Sequence, residues 1–169
     1  MGAVLAFGTA ANGARGGAEI AFSEARTVGL CRFEIGSDRS GVADALSETC
    51  TERAAQIFQQ LGAIGRDRGK ARTVAIRIVG DPAKIGAASP AGARPPDWSI
   101  AVAYPDVRLV VLALRHRDGR PVEDLEIELE HELSHAALRD VVHGADVPRW
   151  LSEGIAVIQS ERSSMLRRS

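Results

Sequence analysis

The chain has 169 residues, enough for one domain with a real core. Apolar and charged fractions of 45% and 25% are ordinary for a folded domain, and a net charge of −1 gives no reason to expect nucleic acid or an anionic membrane surface as a partner. No stretch approaches the roughly 20 apolar residues of a membrane-spanning helix.

Residues 1–26 read as a leader. Ala3-Val4-Leu5-Ala6-Phe7 is a short apolar run, followed by small residues through Ala14. This is similar to the end of an export signal, without its basic start. The alternatives are a truncated signal peptide and a disordered Ala/Gly-rich leader. An extracytoplasmic location, periplasmic or secreted, is favoured over a cytoplasmic one. The folded domain is expected over 27–163, with a tail at 164–169.

Residues 27–35 read as a strand, and Ser37, Asp38, Ser40 and Gly41 as a turn. From 42 to 61, Val42, Leu46, Cys50, Ala54, Ile57, Phe58 and Leu61 recur at helical spacing, giving an amphipathic helix that faces a sheet. Gly62 and Gly65 end it. Residues 73–79 are a β-branched strand. Residues 80–97 hold Pro82, Pro90, Pro95 and Pro96 and are expected to be loop. Residues 98–103 and 108–114 read as a hairpin joined through Tyr104-Pro105-Asp106.

Residues 121–139 carry two patterns. Leu125-Glu126-Ile127-Glu128-Leu129-Glu130 alternates like a strand, but Leu and Glu are strong helix formers. With Leu125, Leu129, Leu133 and Ala136 on one face, the segment is expected to be a helix. A second helix follows, capped by Asp146 with Pro148 in its first turn. Trp150, Glu153 and Val157 share one face of it. Gly154, which costs a helix about 1 kcal/mol against Ala, is expected to let the two helices approach closely. Strand, helix, strand, hairpin, helix, helix gives an α+β domain.

His131-Glu132-Leu133-Ser134-His135 carries the chemistry. Side chains four apart on a helix are neighbours, about 5–6 Å between Cβ atoms, so His131 and His135 can converge on one cation. Imidazole suits zinc, and a catalytic zinc site takes three protein ligands with one position left for water. Glu132 lies too close to His131 to be a comfortable ligand but is well placed to take a proton from water at the metal. Glu153 is the candidate third ligand. The plain alternative is a solvated helix that happens to carry two histidines four apart.

His131-Glu132-x-x-His135 together with Trp150-Leu151-x-Glu153-Gly154-x-Ala156 resembles the gluzincins, zinc metallopeptidases whose third ligand is Glu. More narrowly it resembles the bacterial peptidase MA-like, thermolysin-like group. The resemblance covers residues 97–161. It implies a zincin-like fold, in which a small mixed sheet with an antiparallel edge strand is backed by a helix and by the metal-binding helix, and a glutamate helix follows. It implies His131, His135 and Glu153 as Zn2+ ligands and Glu132 as general base in hydrolysis of a peptide or protein substrate. It also implies that the edge strand, 98–103, holds the substrate by strand addition; an ordinary hairpin is the alternative. Thermolysin has an Asp four residues after its ligand Glu, where this chain has Val157, so one histidine lacks the expected partner. A metzincin would need Gly at 138 and His at 141, and the chain has Leu138 and Val141.

Such a reaction also needs a group to stabilise the oxyanion. Tyr104 and His143 are the candidates for this or for substrate contact, with His116 and Arg149 beside them; each has a plain surface role as its alternative. A second function class is a zinc-stabilised peptide-binding module without turnover. Glu132 favours the enzyme, because a structural site has no use for a carboxylate there and usually closes the fourth position. Oligomeric state is not legible. The two cysteines, Cys31 and Cys50, suit a single disulfide if the compartment is oxidising, and otherwise are small buried hydrophobes.

Overall fold

The computed structural model describes residues 22, 24–35, 41–62 and 73–167. Its centre is a mixed sheet of five strands: β1 (Glu24–Val28), β2 (Cys31–Ile35), β3 (Val74–Val79), β4 (Ala101–Tyr104) and β5 (Leu109–Ala113). Their spatial order is β1-β2-β3-β5-β4. β2, β3 and β5 run parallel, and β1 and β4 pair antiparallel at the two edges. Parallel strands need cover on both faces. β5, Leu-Val-Val-Leu-Ala, is accordingly buried along its whole length.

One face is covered by α1 (Gly41–Ala45), α2 (Ala54–Gln60) and α4 (Leu125–Val141), the other by α3 (Ile85–Ala88). Phe33, Ile76, Ile78, Val110 and Leu112 of the sheet meet Ile57, Leu129, Leu133 and Ala136 of the helices. Truncating one of these large side chains to Ala costs about 2–5 kcal/mol. α5 (Arg149–Arg167) packs along α4. The domain is α+β, as the order of elements predicts.

Several boundaries differ from the sequence reading. The stretch 27–35 is a hairpin, not one strand. Gly29, at φ +55°, turns the chain, and a Cβ there would lie 2.2 Å from Cys50 O, so only glycine fits. β1 takes in residues 24–26, which the leader was expected to include. The rest of the leader apart from Phe22, the turn at Ser37, Asp38 and Ser40, and Gly65 lie outside the described residues.

The helix expected over 42–61 is interrupted. Thr49–Arg53 form a π-helical turn in which the Ala54 N–H reaches Thr49 O, five residues back. Cys50 O takes the N–H of Leu30 instead, at 3.1 Å. This carries Cys50 to Cys31, and the two form a disulfide with Cα atoms 5.5 Å apart, inside the usual range.

The 80–97 loop contains a short turn, Pro82–Lys84, that leads into α3; the Asp81 carboxylate caps it by accepting from Ala83 N–H at 2.8 Å. β4 starts at Ala101 rather than at 98. α4 starts at Leu125 rather than 121, because Pro121 is engaged in a bridge with Arg115. α5 starts at Arg149, with Pro148 O accepting from the N–H groups of Leu151 and Ser152, so Asp146 lies outside it. The helix continues to Arg167, through the boundary expected at 164. Residues 168–169 lie outside the described residues. Gly154 does not serve a close approach to α4: it is exposed, with nothing within 4 Å of a Cβ built on it. It lies on an exposed apolar stripe with Trp150, Leu151, Val157 and Ile158. Among the described residues no helix is long and apolar enough to cross a membrane.

Candidate metal centre

α4 points one edge into an open cleft of about 760 Å³ bounded by β4 and by the start of α5. The helix is fixed from below: Leu129, Leu133 and Ala137 are fully buried in the core. Glu130 is also fully buried and is met by Arg53, 3.4 Å away, from the π-helical turn. The residues one step round the helix, Glu128, His131, Glu132 and His135, therefore line the cleft.

α5 brings Glu153 to the two histidines. Its Oε2 lies 3.3 Å from His131 Nε2 and 3.7 Å from His135 Nε2. One ligand atom from each of the three residues falls within 4.8 Å of the others, so the trio could hold a metal ion. The spacing suits a small tetrahedral cation. Ligands at about 2.0–2.1 Å from such an ion lie about 3.3 Å from each other.

His135 is oriented by α5 as well. Its Nδ1 lies 2.8 Å from Ser152 Oγ. For Nε2 to be a ligand, Nδ1 must carry the proton, and Ser152 Oγ is then its acceptor. Burial pulls the His135 pKa down, His131 adds to this, and Glu153 opposes it. These shifts favour the neutral ring, the form a metal needs. Sequence reasoning missed Ser152. Its signal was its place beside Glu153 on the helix that must face α4.

Glu132 is buried, and burial pushes its carboxyl up to about 8; the backbone of Ala103 counters this through a hydrogen bond, and Glu128 and Glu153 add to it. A carboxyl poised near neutrality can both take and return a proton.

β4 supplies the opposite wall. Ile100 O accepts from Ala113 N–H at 2.7 Å. By the alternation of an antiparallel ladder, Val102 and Tyr104 also turn their backbone groups to β5. Ala101 and Ala103 therefore turn theirs to the free edge, over the cleft, where Glu132 takes the Ala103 N–H.

The other candidates divide. Tyr104 is not in the cleft: it packs against the α3 face of the sheet, and its hydroxyl donates to Ser89 Oγ at 2.7 Å. His143 does not line the cleft either. It is exposed, at φ +51°, in the turn that ends α4. His116 sits outside the cleft in the 115–121 turn, where its N–H bonds Arg120 O. Arg149 does line the cleft, with Nε 3.6 Å from Glu153 Oε1.

No family model, curated protein or solved structure matches the chain.

Proposed function

We propose that the protein is a zinc-dependent peptidase of gluzincin type with a zincin-like fold. The observation that carries this is the convergence of His131, His135 and Glu153, within 4.8 Å, beside a buried carboxylate that has no place in a structural site. In this reading the trio holds the ion. When bound, zinc supplies Lewis-acid polarisation of a carbonyl and brings the pKa of water from about 16 to about 7.

The chain's own residues do the rest. Ala101, through its N–H and C=O, and Ala103, through its C=O, pair with an extended peptide and align its backbone over the cleft. Glu132 takes the proton from the attacking water and passes it to the departing amine. Its burial keeps bulk water from competing for that proton. Among these candidates Arg149 alone lines the cleft, paired with Glu153, and in this reading it is the cation that meets a developing oxyanion. A non-catalytic zinc-stabilised module would leave Glu132 unexplained.

Metal analysis tests the ligand set. One zinc per chain is expected, with occupancy lowered in each of His131→Ala, His135→Ala and Glu153→Ala. Full occupancy in Glu153→Ala would remove the gluzincin reading.

A further inference from the structure

The cleft is asymmetric along its length. α4 and β4 run side by side in the same direction. The Ala103 backbone meets Glu132, Arg139 Nε donates to Asp106 at 2.6 Å, and Arg108 pairs with Asp140. Beyond His135 the lining mixes apolar Leu138, Val142, Val147 and Pro105 with Arg139 and an exposed carboxylate, Asp146. The cation there, Arg139, is already engaged by Asp106 and Ala145 O.

The other end differs. One helical turn back from Glu132 lies Glu128, and two strand residues back from Ala103 lies Ala101. These steps are nearly equal, about 6 Å on the helix and about 6.8 Å on the strand. The same register carries Glu128 toward Ala101, as it carries Glu132 to Ala103. Glu128 also lines the cleft and is half-buried, yet its carboxylate makes no hydrogen bond or ion pair to any described residue. Its basic neighbours are His131 and His116, its acidic ones Asp124 and Glu132. Trp98, three residues before Ala101, also lines the cleft and is 73% exposed.

A partly desolvated carboxylate without a partner is costly unless something pairs with it. An open indole face attracts the same kind of group, because a cation over an aromatic ring gains about 0.5–2 kcal/mol. We propose that Glu128 and Trp98 form a subsite for an arginine or lysine side chain of a peptide lying along β4, so that this cleft selects basic substrates. The inference rests on the reading of the cleft as a peptide site. The carboxylate gives the charge preference and the indole stacks on the guanidinium plane or covers the lysine stem.

Binding tests this apart from turnover. Trp98 and Trp150 are the only tryptophans, so zinc-loaded Glu132→Gln/Trp150→Phe protein reports Trp98 fluorescence alone and cuts slowly or not at all. The probes are ten-residue Ala/Ser peptides carrying one arginine, or citrulline in its place, at each position in turn. At its best position the arginine peptide is expected to bind about tenfold more tightly than its citrulline twin and to change the Trp98 emission. Adding Glu128→Gln should abolish that difference, and Glu128→Lys should turn the preference toward a glutamate peptide. Should either variant fold poorly, Trp98→Ala measured by calorimetry should weaken the arginine peptide more than the citrulline one. Equal binding of both peptides at every position, or discrimination that survives Glu128→Gln, would overturn the subsite. Wild type that holds the arginine peptide without cutting it would uphold the subsite and overturn the peptidase reading.

Discussion

His135 and Ser152 meet at 2.8 Å, Nδ1 to Oγ, across the contact between α4 and α5. Ser152 immediately precedes Glu153, so one helix supplies a candidate ligand and also orients another. Losing such an outer partner costs metal affinity about 10–100-fold. Ser152→Ala is therefore predicted to weaken zinc binding by that factor while the chain stays folded. Ser152→Thr, which keeps the hydroxyl, should recover most of it. Competition with a chromophoric chelator measures this. Equal affinity in wild type and Ser152→Ala would mean that Ser152 has no part in holding the ring.

Glu132 gives a pH signature in the zinc-free chain. Its folded pKa is about 8 against an ordinary value of 4.5, so between these values the folded state holds a proton that the unfolded state has released. Burial of the carboxyl costs nothing below pH 4.5. The cost grows as pH rises toward 8 and levels off above it. Glu132→Gln is thus predicted to match wild type near pH 4 and to exceed it by an amount on the order of several kcal/mol near pH 9. Zinc should narrow the gap, because a nearby dication favours the carboxylate. Urea melts at three pH values test this. A gap that stays constant with pH would show that Glu132 is not held protonated by burial.

Cys31 and Cys50 close a loop with a sequence separation of 19 between β2 and the π-helical turn, and both are fully buried. The chain-entropy model gives such a loop about 3 kcal/mol of stabilisation. Protein purified without reductant should show no free thiol after denaturation in guanidinium. The Cys31→Ser/Cys50→Ser variant should lose stability by about that amount. Two titratable thiols in the oxidised preparation would contradict the bridge. The bridge fits an oxidising compartment, as an export signal would imply.

Much of this was legible in the sequence, and what was not has local causes. The metal helix was readable because Leu125, Leu129, Leu133 and Ala136 keep helical spacing through the competing alternation of Leu and Glu. β3 was readable from its β-branched run. The hairpin at 24–35 was hidden by the unbroken β-forming run around Gly29, although a glycine inside such a run is itself a turn signal. The π-helical turn was not legible, because it answers to a tertiary demand: Cys50 must meet Cys31 and Leu30. Tyr104 was misplaced because the parity of β4 depends on its partner. Ala101 and Ala103 side chains face α4, which turns Val102 and Tyr104 to the α3 side. Ser152 had only its place beside Glu153 as a signal, and its partner was fixed by the rotation of α5 against α4.

In the proposed function His131, His135 and Glu153 hold a zinc ion for Glu132 to work beside. The most direct test is cleavage of an unbiased peptide library by zinc-loaded wild type and by Glu132→Gln carrying the same zinc, with mass-spectrometric readout. Chelator-sensitive cleavage by wild type is expected, with a loss of about 10²–10⁴-fold in the variant at unchanged zinc content. Equal cleavage by the two proteins, or none by fully loaded wild type, would contradict that function.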